Sequence, residues 1–226
     1  MKPMTYKYFS RNGQVLPVDQ AQVPLDDIAY SYGFGVYETL RVSNGILYFA
    51  EQHTKRLLAS ARAIDLEHNF SAEFVRDSIT ELLHENEVDS CNVKVLLVGG
   101  ADAEAAQLYI QCLNPLFPDR KLYANGAHFI TEKYVREYPQ AKTLNMLPSY
   151  LAYRRARAAD AYDGLLVDGD GCIREGTRTN FFVMQAKTLI SPPESKILLG
   201  VMRQVVLKVA GENGYQTEER DSKNHR

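Results

Sequence analysis

The sequence predicts an α+β protein of two domains, and three observations favour this fold class. First, 45% of the 226 residues are apolar and 24% are charged, which is typical of a globular protein with a sizeable core. Second, the first half combines strand-like hairpins with two amphipathic helices. Third, the pattern changes after Pro115 and Pro118. We therefore expect a small α/β domain over residues 1–114, a linker over residues 115–120 and a larger domain over residues 121–226.

The N-terminal part is predicted to contain two β-hairpins, because alternating apolar residues flank glycine-containing turns. The hairpins are Tyr6–Val18 around Asn12-Gly13, and Tyr37–Val42 with Ile46–Phe49 around Ser43-Asn44-Gly45. Between them, Ile28–Gly35 is rich in tyrosine and glycine and is predicted to be a loop.

Two helices and two strands are predicted to complete the first domain. The helices have apolar residues on one face, and Ser71 is a typical N-cap for the second. The predicted elements are the helices Glu51–Asp65 and Ser71–Glu87 and the strands Val93–Val98 and Leu108–Leu113.

The second half is predicted to mix short strands with two longer helices. Asp168-Gly169-Asp170-Gly171 is predicted to be a hairpin turn. The predicted elements are the strands Ala127–Lys133, Leu165–Val167, Cys172–Arg174, Asn180–Met184 and Lys187–Ile190, and the helices Ser149–Ala161 and Val201–Glu212.

Composition excludes several classes of protein. Lys plus Arg number 26 and Asp plus Glu number 28, so no basic excess favours binding to nucleic acid or to an anionic membrane. Three unevenly spaced cysteines without a CxxC pair disfavour a disulfide framework and a zinc site, and no metal is expected. The sequence shows neither an apolar signal core nor a membrane-length apolar stretch, so a cytoplasmic location is expected.

Four segments carry side chains with possible chemistry. Lys142 lies in a KTLN segment as a possible nucleophile, and Glu175 could keep a pyridine nitrogen protonated. Gly200 precedes a predicted helix whose first amides could bind an anion. Arg56 follows His53 by one helical turn, and its guanidinium could bind a phosphate through two hydrogen bonds. Each feature alone is common as a surface charge or an ordinary turn. The prediction of a functional site therefore depends on the occurrence of all four segments in one chain.

The ordered segments resemble the class IV, or fold type IV, pyridoxal-phosphate-dependent aminotransferase family. They are the loop ending in Gly35-Val36-Tyr37-Glu38, the helix with His53 and Arg56-Leu57, Lys142 in KTLN, REGTRTNFF at 174–182 and GVMRQ at 200–204. The resemblance extends from the first hairpin to about Glu219. It implies a small N-terminal α/β domain and a larger pseudo-barrel domain. It also implies pyridoxal 5′-phosphate between them, a homodimer, and a small amino-acid-like substrate.

The resemblance also implies roles for individual residues. Lys142 would form the Schiff base and move the proton, and Glu175 would bond the pyridine nitrogen. Leu198 would pack on the ring, Tyr37 and Arg41 would bind the substrate, and Thr39 would assist catalysis. The phosphate would be held by Arg56, Gly200, Val201 and Met202, with Thr177 or Thr179 nearby.

The resemblance leaves the reaction open. Family members include branched-chain and D-amino acid aminotransferases, R-selective amine transaminases and 4-amino-4-deoxychorismate lyases. Gly99-Gly100-Ala101-Asp102 lacks the arginine of the D-amino acid enzymes and also that of the lyases, whereas Thr39 and Met202 resemble the lyases. We therefore favour a lyase that eliminates pyruvate and gives 4-aminobenzoate. A branched-chain or D-amino acid aminotransferase is the alternative, and a non-catalytic member is disfavoured because Lys142 and Glu175 are both present.

Family members generally continue beyond the position of Glu219 with another helix and strand that supply phosphate and carboxylate contacts. The present sequence ends at Arg226. A protein that ended there would be expected to bind the cofactor with an incomplete substrate pocket, and the sequence does not decide whether it does.

Overall fold

The computed structural model describes residues 6–24 and 26–223. The outer ends of the two predicted domains, residues 1–5 and 224–226, lie outside the described part, as does residue 25. The chain divides into two compact units, Met1–Phe117 with Ala141–Asn145, and Pro118–Gln140 with Met146–Arg226. The short segment that carries Lys142 therefore belongs to the same unit as the N-terminal part of the chain.

The first unit is built on one antiparallel sheet. Its strands are β1 (Tyr8–Arg11), β2 (Gln14–Pro17), β3 (Gly35–Ser43), β4 (Ile46–Leu47), β5 (Cys91–Val98) and β6 (Gln107–Leu113). Its helices are α1 (Ile28–Tyr32), α2 (Ala50–Arg62) and α3 (Ala72–Glu85). The order of the strands is β2-β1-β6-β5-β3-β4. Both predicted hairpins are confirmed, and their turns use the left-handed backbone that asparagine and glycine tolerate best.

Alternation along β3 separates a core from a second face. Val36, Leu40 and Val42 are buried, and they form one core with residues of α2 and α3 such as Leu57 and Ile79. The residues between them, including Tyr37 and Thr39, point to the opposite face of the sheet. The two predicted amphipathic helices are confirmed, and Ser71 accepts a hydrogen bond from the amide of Phe74 at 3.0 Å.

Two short helices differ from the prediction. The predicted loop Ile28–Gly35 contains α1, because Asp27 accepts a hydrogen bond from the Ala29 amide at 2.9 Å and Gly33 ends the helix with φ +66°. A helix α4 (Arg120–Asn125) follows Asp119, whose carboxylate caps it through the Lys121 amide at 2.9 Å. Both helices are five or six residues long, too short to show a periodic pattern.

The second unit contains two smaller sheets. Its strands are β7 (Phe129–Lys133), β8 (Asp163–Val167), β9 (Cys172–Gly176), β10 (Val183–Gln185), β11 (Thr188–Ser191), β12 (Gln216–Glu219) and β13 (Ser222–Lys223). The longer helices are α5 (Leu147–Ala158) and α6 (Val201–Glu212), and α6 has the predicted bounds. The sheets have the orders β13-β9-β8-β7 and β10-β11-β12. Among the described residues, no helix is both long and apolar enough to cross a membrane.

A buried arginine fixes α6 within this unit. Arg203 is 2% exposed and donates to Ser191 Oγ at 3.1 Å, and it also bonds Glu194 at 2.8 Å and Glu219 at 3.4 Å. These contacts tie the first turn of α6 to β11 and β12. The N-terminus of α6 is thereby held in one position.

The core of the first unit gives a stability prediction. Ile79 is fully buried on α3, so Ile79→Ala should lower the free energy of unfolding by about 2–5 kcal/mol in urea denaturation. Ile46→Ala, at a position that is 58% exposed, is the matched control and should cost within about 0.5 kcal/mol. Equal losses in the two variants would contradict the assignment of the core.

Candidate active site

Lys142 is fixed by hydrogen bonds of the main chain. The Tyr37 amide donates to the carbonyl of Lys142 at 2.9 Å, and the Leu144 amide donates to the carbonyl of Gly35 at 2.8 Å. These bonds form an antiparallel bridge between the lysine segment and the start of β3. The Lys142 amide also donates to Ser60 Oγ on α2 at 3.0 Å. The lysine therefore starts from a fixed backbone.

The start of β3 can accept this segment for two reasons. The short strand β4 pairs with Val42 and Ser43, so it does not cover the edge at Gly35–Tyr37. Gly35 also permits a close approach, because a Cβ there would lie 2.7 Å from Leu144 Cδ1 and 2.7 Å from the Leu97 carbonyl oxygen. A larger residue at position 35 would collide with the Leu97 carbonyl of β5 and would require the Leu144 side chain to move.

The amine of Lys142 lies against an aromatic ring. Its Nζ is 4.4 Å from the centre of the Tyr37 ring, and Lys94 Nζ is 5.8 Å from the same centre. Lys94 is directly opposite Thr39 in the pairing of β3 with β5. Two ammonium groups and a hydroxyl thus occupy the face of the sheet that points away from α2 and α3. This face suits an anionic ligand.

Arg41 continues the same face toward the end of β3. Its guanidinium lies 4.9 Å from the centre of the Phe117 ring. Its Nη1 is buried and has no hydrogen-bond partner among the residues that the structure describes. A buried donor without an acceptor is unfavourable, so a ligand oxygen is the expected partner.

Arg56 has a partner that the sequence did not predict. It donates to Glu38 from Nε at 2.6 Å and from Nη2 at 2.7 Å, which forms a fork on a carboxylate. Its contact with a phosphate stays a prediction. His53 Nδ1 lies 2.7 Å from the same carboxylate. Burial alone would raise the pKa of Glu38, but the hydrogen bonds from Arg56 and His53 outweigh it and lower the pKa.

Glu175 is the buried carboxylate of the second unit. It is 5% exposed and lies on β9. Its Oε2 accepts a hydrogen bond from the Leu198 amide at 3.3 Å, and its Oε1 lies 3.6 Å from Arg136 Nη1. A buried carboxylate held in this way can accept a proton-bearing nitrogen of a ligand.

The two threonines after Glu175 are in different environments. Thr177 is buried and donates its hydroxyl proton to Asp163 Oδ1 at 2.6 Å, so it does not offer that proton to a phosphate. Thr179 is exposed, and its carbonyl accepts the Gly176 amide at 2.8 Å. Thr179 therefore fits the predicted phosphate contact better than Thr177.

The N-terminus of α6 lacks a side-chain cap, because Gly200 is the N-cap residue. The amides of Val201 and Met202 have no acceptor within residues 6–24 and 26–223. Asn180 closes the preceding loop, since its Nδ2 donates to the Leu198 carbonyl at 2.7 Å. This helix end is suited to bind an anion such as a phosphate.

The predicted site residues thus fall into two groups. In the first unit, Tyr37, Thr39, Arg41 and Lys142 lie on or beside the outer face of the sheet, whereas Arg56 lies on the helix side. The second unit contains Glu175, Thr177, Thr179, Leu198, Gly200, Val201 and Met202.

Several polar residues of these groups were not predicted from the sequence. Glu38 could have been predicted, because it occupies a core position of β3 between Val36 and Leu40, and a buried carboxylate there needs a cation as its partner. Lys94 interrupts an apolar strand and could have been noticed in the same way. Asp163 and Asn180 show no local signal, because their partners are distant in sequence.

Comparisons with known proteins agree on one family. The family model for amino-transferase class IV matches residues 35–223. D-alanine aminotransferase from Bacillus licheniformis is 30% identical over 219 residues, which cover 92% of this chain and 77% of that protein. The T.th. branched-chain amino acid aminotransferase with pyridoxamine 5′-phosphate has a TM-score of 0.89 at 24% identity, covering 98% of this chain and 79% of that chain. A protein described as a 4-amino-4-deoxychorismate lyase from Legionella pneumophila has a TM-score of 0.81 at 23% identity, with 91% and 80% covered. The two structural likenesses establish fold type IV, as predicted.

The α6 N-terminus gives a second prediction. A Cβ at Gly200 would lie 1.9 Å from Asn180 Oδ1, so Gly200→Ala should displace Asn180 and cost about 1–3 kcal/mol of unfolding free energy. Gly211→Ala is the control on the same helix, where no described atom lies within 4 Å of the added Cβ. That variant should be more stable by about 0.5–1 kcal/mol. A loss at position 211 equal to that at position 200 would refute the contact.

The Glu38 cluster gives a prediction about pH. Because the pKa of Glu38 is lowered from its usual 4.5, its contribution is present above that pH and is lost as the pH falls through the lowered value. Glu38→Gln should therefore be less stable than wild type near pH 7, and the difference should shrink as the pH falls below 4.5 and through the lowered pKa. Urea denaturation at several pH values measures this.

Glu51→Gln is the matched control for this experiment. Glu51 is 66% exposed and paired with Lys55, so its removal should change stability little at any pH. A constant difference between wild type and Glu38→Gln across the pH range would contradict the argument.

Proposed function

The chain belongs to the class IV aminotransferase family, and we propose that it is an aminotransferase that moves the amino group of a small amino acid to a keto acid. The observation that carries the proposal is the position of Lys142. Its backbone is fixed by hydrogen bonds with Gly35, Tyr37 and Ser60, and its amine lies against the Tyr37 ring. A lysine held in this way is suited to act repeatedly as nucleophile and base.

Each unit by itself offers groups that suit the family's cofactor, pyridoxal 5′-phosphate. The first unit offers an amine at Lys142, and the second offers a buried carboxylate at Glu175 and an uncapped helix end at Gly200 for an anion. When bound, the cofactor supplies an aldehyde that condenses with amines and a pyridine ring that accepts electrons.

Each residue contributes one part of the chemistry. Lys142 Nζ takes the proton from the substrate α-carbon and returns it, and its anchored backbone limits the positions that the amine explores. Glu175 would hold the proton at the pyridine nitrogen of the bound cofactor. Leu198 would supply an apolar surface for the ring, and the amides of Val201 and Met202 would bind the phosphate.

The outer face of the sheet is proposed to bind the substrate carboxylate. Lys94, Arg41 and the Thr39 hydroxyl offer donors on this face, and Tyr37 supplies an apolar wall. An α-amino acid would place its carboxylate against these donors and its amine near Lys142. Relatives are named for D-alanine and branched-chain amino acids, so these substrates are tested first.

We also propose a homodimer, which light scattering would show as twice the mass of the chain.

The second candidate is the lyase reaction. Thr39 is exposed beside Tyr37 and opposite Lys94, where its hydroxyl could pass a proton to a leaving group. A lyase releases pyruvate from its substrate and needs no keto acid acceptor. The fate of the amino group therefore distinguishes the two reactions.

Covalent labelling tests the role of Lys142. Borohydride reduction of the protein with pyridoxal 5′-phosphate should fix the cofactor on Lys142, as found by peptide mapping, because this amine has the fixed position described above. Lys142→Ala should take up no label, whereas Lys133→Ala, at an exposed position, should be labelled like wild type. Labelling of another lysine in the wild-type protein would overturn the assignment.

Spectra taken with single donors test the reaction. We expect D-alanine or L-leucine to convert the cofactor to its pyridoxamine form, and turnover should stop until a keto acid is added. Repeated release of pyruvate from aminodeoxychorismate without a keto acid would move the assignment to the lyase. No change with any donor in unreduced protein, when a parallel sample treated with borohydride carries the cofactor on Lys142, would support a non-catalytic member.

A further inference from the structure

We infer that Arg136 is a positioning residue for Glu175. Its positive charge keeps the Glu175 carboxylate ionised and oriented, and its guanidinium does not form a bidentate hydrogen-bonded pair with that carboxylate. Arg136 lies outside every segment that pointed to chemistry in the sequence. The inference rests on the proposed role of Glu175 at the pyridine nitrogen, and it adds a residue to that part of the site.

Burial makes a charged neighbour necessary for Glu175. Its carboxylate is 5% exposed, and an ionised carboxylate at such a position is unfavourable unless donors or a cation compensate it. The Leu198 amide approaches Oε2 at 3.3 Å and supplies one weak hydrogen bond. Arg136 Nη1 approaches Oε1 at 3.6 Å from a side chain that is itself 17% exposed. Arg136 therefore brings a full positive charge to the other oxygen.

Arg136 is itself held in place. Its Nη2 donates to the carbonyl of Tyr138, two residues further along the chain, at 3.0 Å. This local bond restricts the guanidinium, so the approach to Glu175 does not depend on an unrestrained long side chain.

The distance between the two charges distinguishes this pair from two forked arginine–glutamate pairs in the described part of the chain. Arg56 binds Glu38 through two hydrogen bonds of 2.6 and 2.7 Å, and Arg155 binds Glu132 through two of 2.9 and 2.7 Å. Arg136 Nη1 and Glu175 Oε1 are 3.6 Å apart. That distance is too long for a good hydrogen bond, but a Coulomb interaction remains effective there.

This geometry fits a carboxylate that must also accept a proton-bearing nitrogen. A bidentate guanidinium would occupy acceptor positions on both oxygens, as it does on Glu38. A guanidinium at 3.6 Å stabilises the negative charge and does not close such a fork. Arg136 therefore acts on the cofactor through Glu175.

Tyr134 and Glu137 are titratable groups near this pair. The pKa of Tyr134 is raised by burial, with Glu137 and Glu175 adding to the effect and Arg136 opposing it, so Tyr134 stays neutral in acid. Glu137 is exposed to solvent. Of these three neighbours, Arg136 carries the positive charge, so its removal is expected to favour the protonated form of Glu175.

The test is a carbon-13 NMR titration of glutamate carboxyl groups in the full-length, cofactor-free protein, with the Glu175 signal identified by its loss in Glu175→Gln. Arg136→Gln should raise the pKa of Glu175 by about one unit or more, a tenfold change in its protonation equilibrium. Arg136→Lys should restore most of the wild-type value. Arg155→Met, which removes an arginine from Glu132 in the same unit, should leave Glu175 unchanged.

A second readout uses cofactor labelled with nitrogen-15 at the pyridine. The nitrogen signal should be that of a protonated ring in wild type and Arg136→Lys, and it should shift toward the unprotonated value in Arg136→Gln. A purely structural role would lower stability without moving either signal in the folded protein. Arg136→Met, which fills similar space, is a second neutral variant if Arg136→Gln does not fold.

Equal Glu175 pKa values in wild type and both neutral variants would overturn the inference. The carboxyl titration needs no cofactor, so it is separate from the proposed function. If borohydride fails to label Lys142 while the titration still depends on Arg136, the proposed function fails and the pairing stands.

Discussion

The position of Lys142 depends on a short stretch of backbone pairing at the edge of β3. Two hydrogen bonds join Lys142 and Leu144 to Tyr37 and Gly35, and they form where the two-residue strand β4 does not reach. Because main-chain bonds do not depend on side-chain identity, they fix the lysine while its neighbours can vary. Gly35 is the exception, since a Cβ there would collide with the Leu97 carbonyl of β5 and with the side chain of Leu144. This pairing brings the Lys142 amine to the outer face with Tyr37 and Thr39.

In each unit, buried charged side chains also hold neighbouring elements together. In the first unit, Glu38 joins β3 to α2 through Arg56 and His53, so the same contacts position a strand and a helix. In the second unit, Arg203 joins α6 to β11 and β12 and thereby places the uncapped amides of Val201 and Met202. Such pairs are costly to bury, and breaking one leaves an uncompensated charge. They act here as geometric constraints on the surrounding elements.

Local patterns predicted the hairpins, the longer helices and the family, because alternation, periodicity and turn residues are properties of neighbouring positions. The bounds of α6 agree with its prediction since Gly200 marks its start. The pairing of distant residues could not be predicted in this way. The sequence did not predict that Arg56 binds Glu38, eighteen positions away in another element. Ser60 and Lys142 are separated by 82 positions. Periodicity gives the face of a helix but not the partner opposite it.

The segment Ala141–Asn145 belongs to the first unit, although the residues on both sides of it belong to the second. A fragment that ended at Phe117 would lose the partner of Gly35–Tyr37 and expose an unpaired strand edge, which favours association with other chains. Recombination at the linker would likewise separate the sheet from the segment that completes it. The two units are therefore expected to be inherited together, and exchange of either one between relatives would require residues on both sides of the linker to change together.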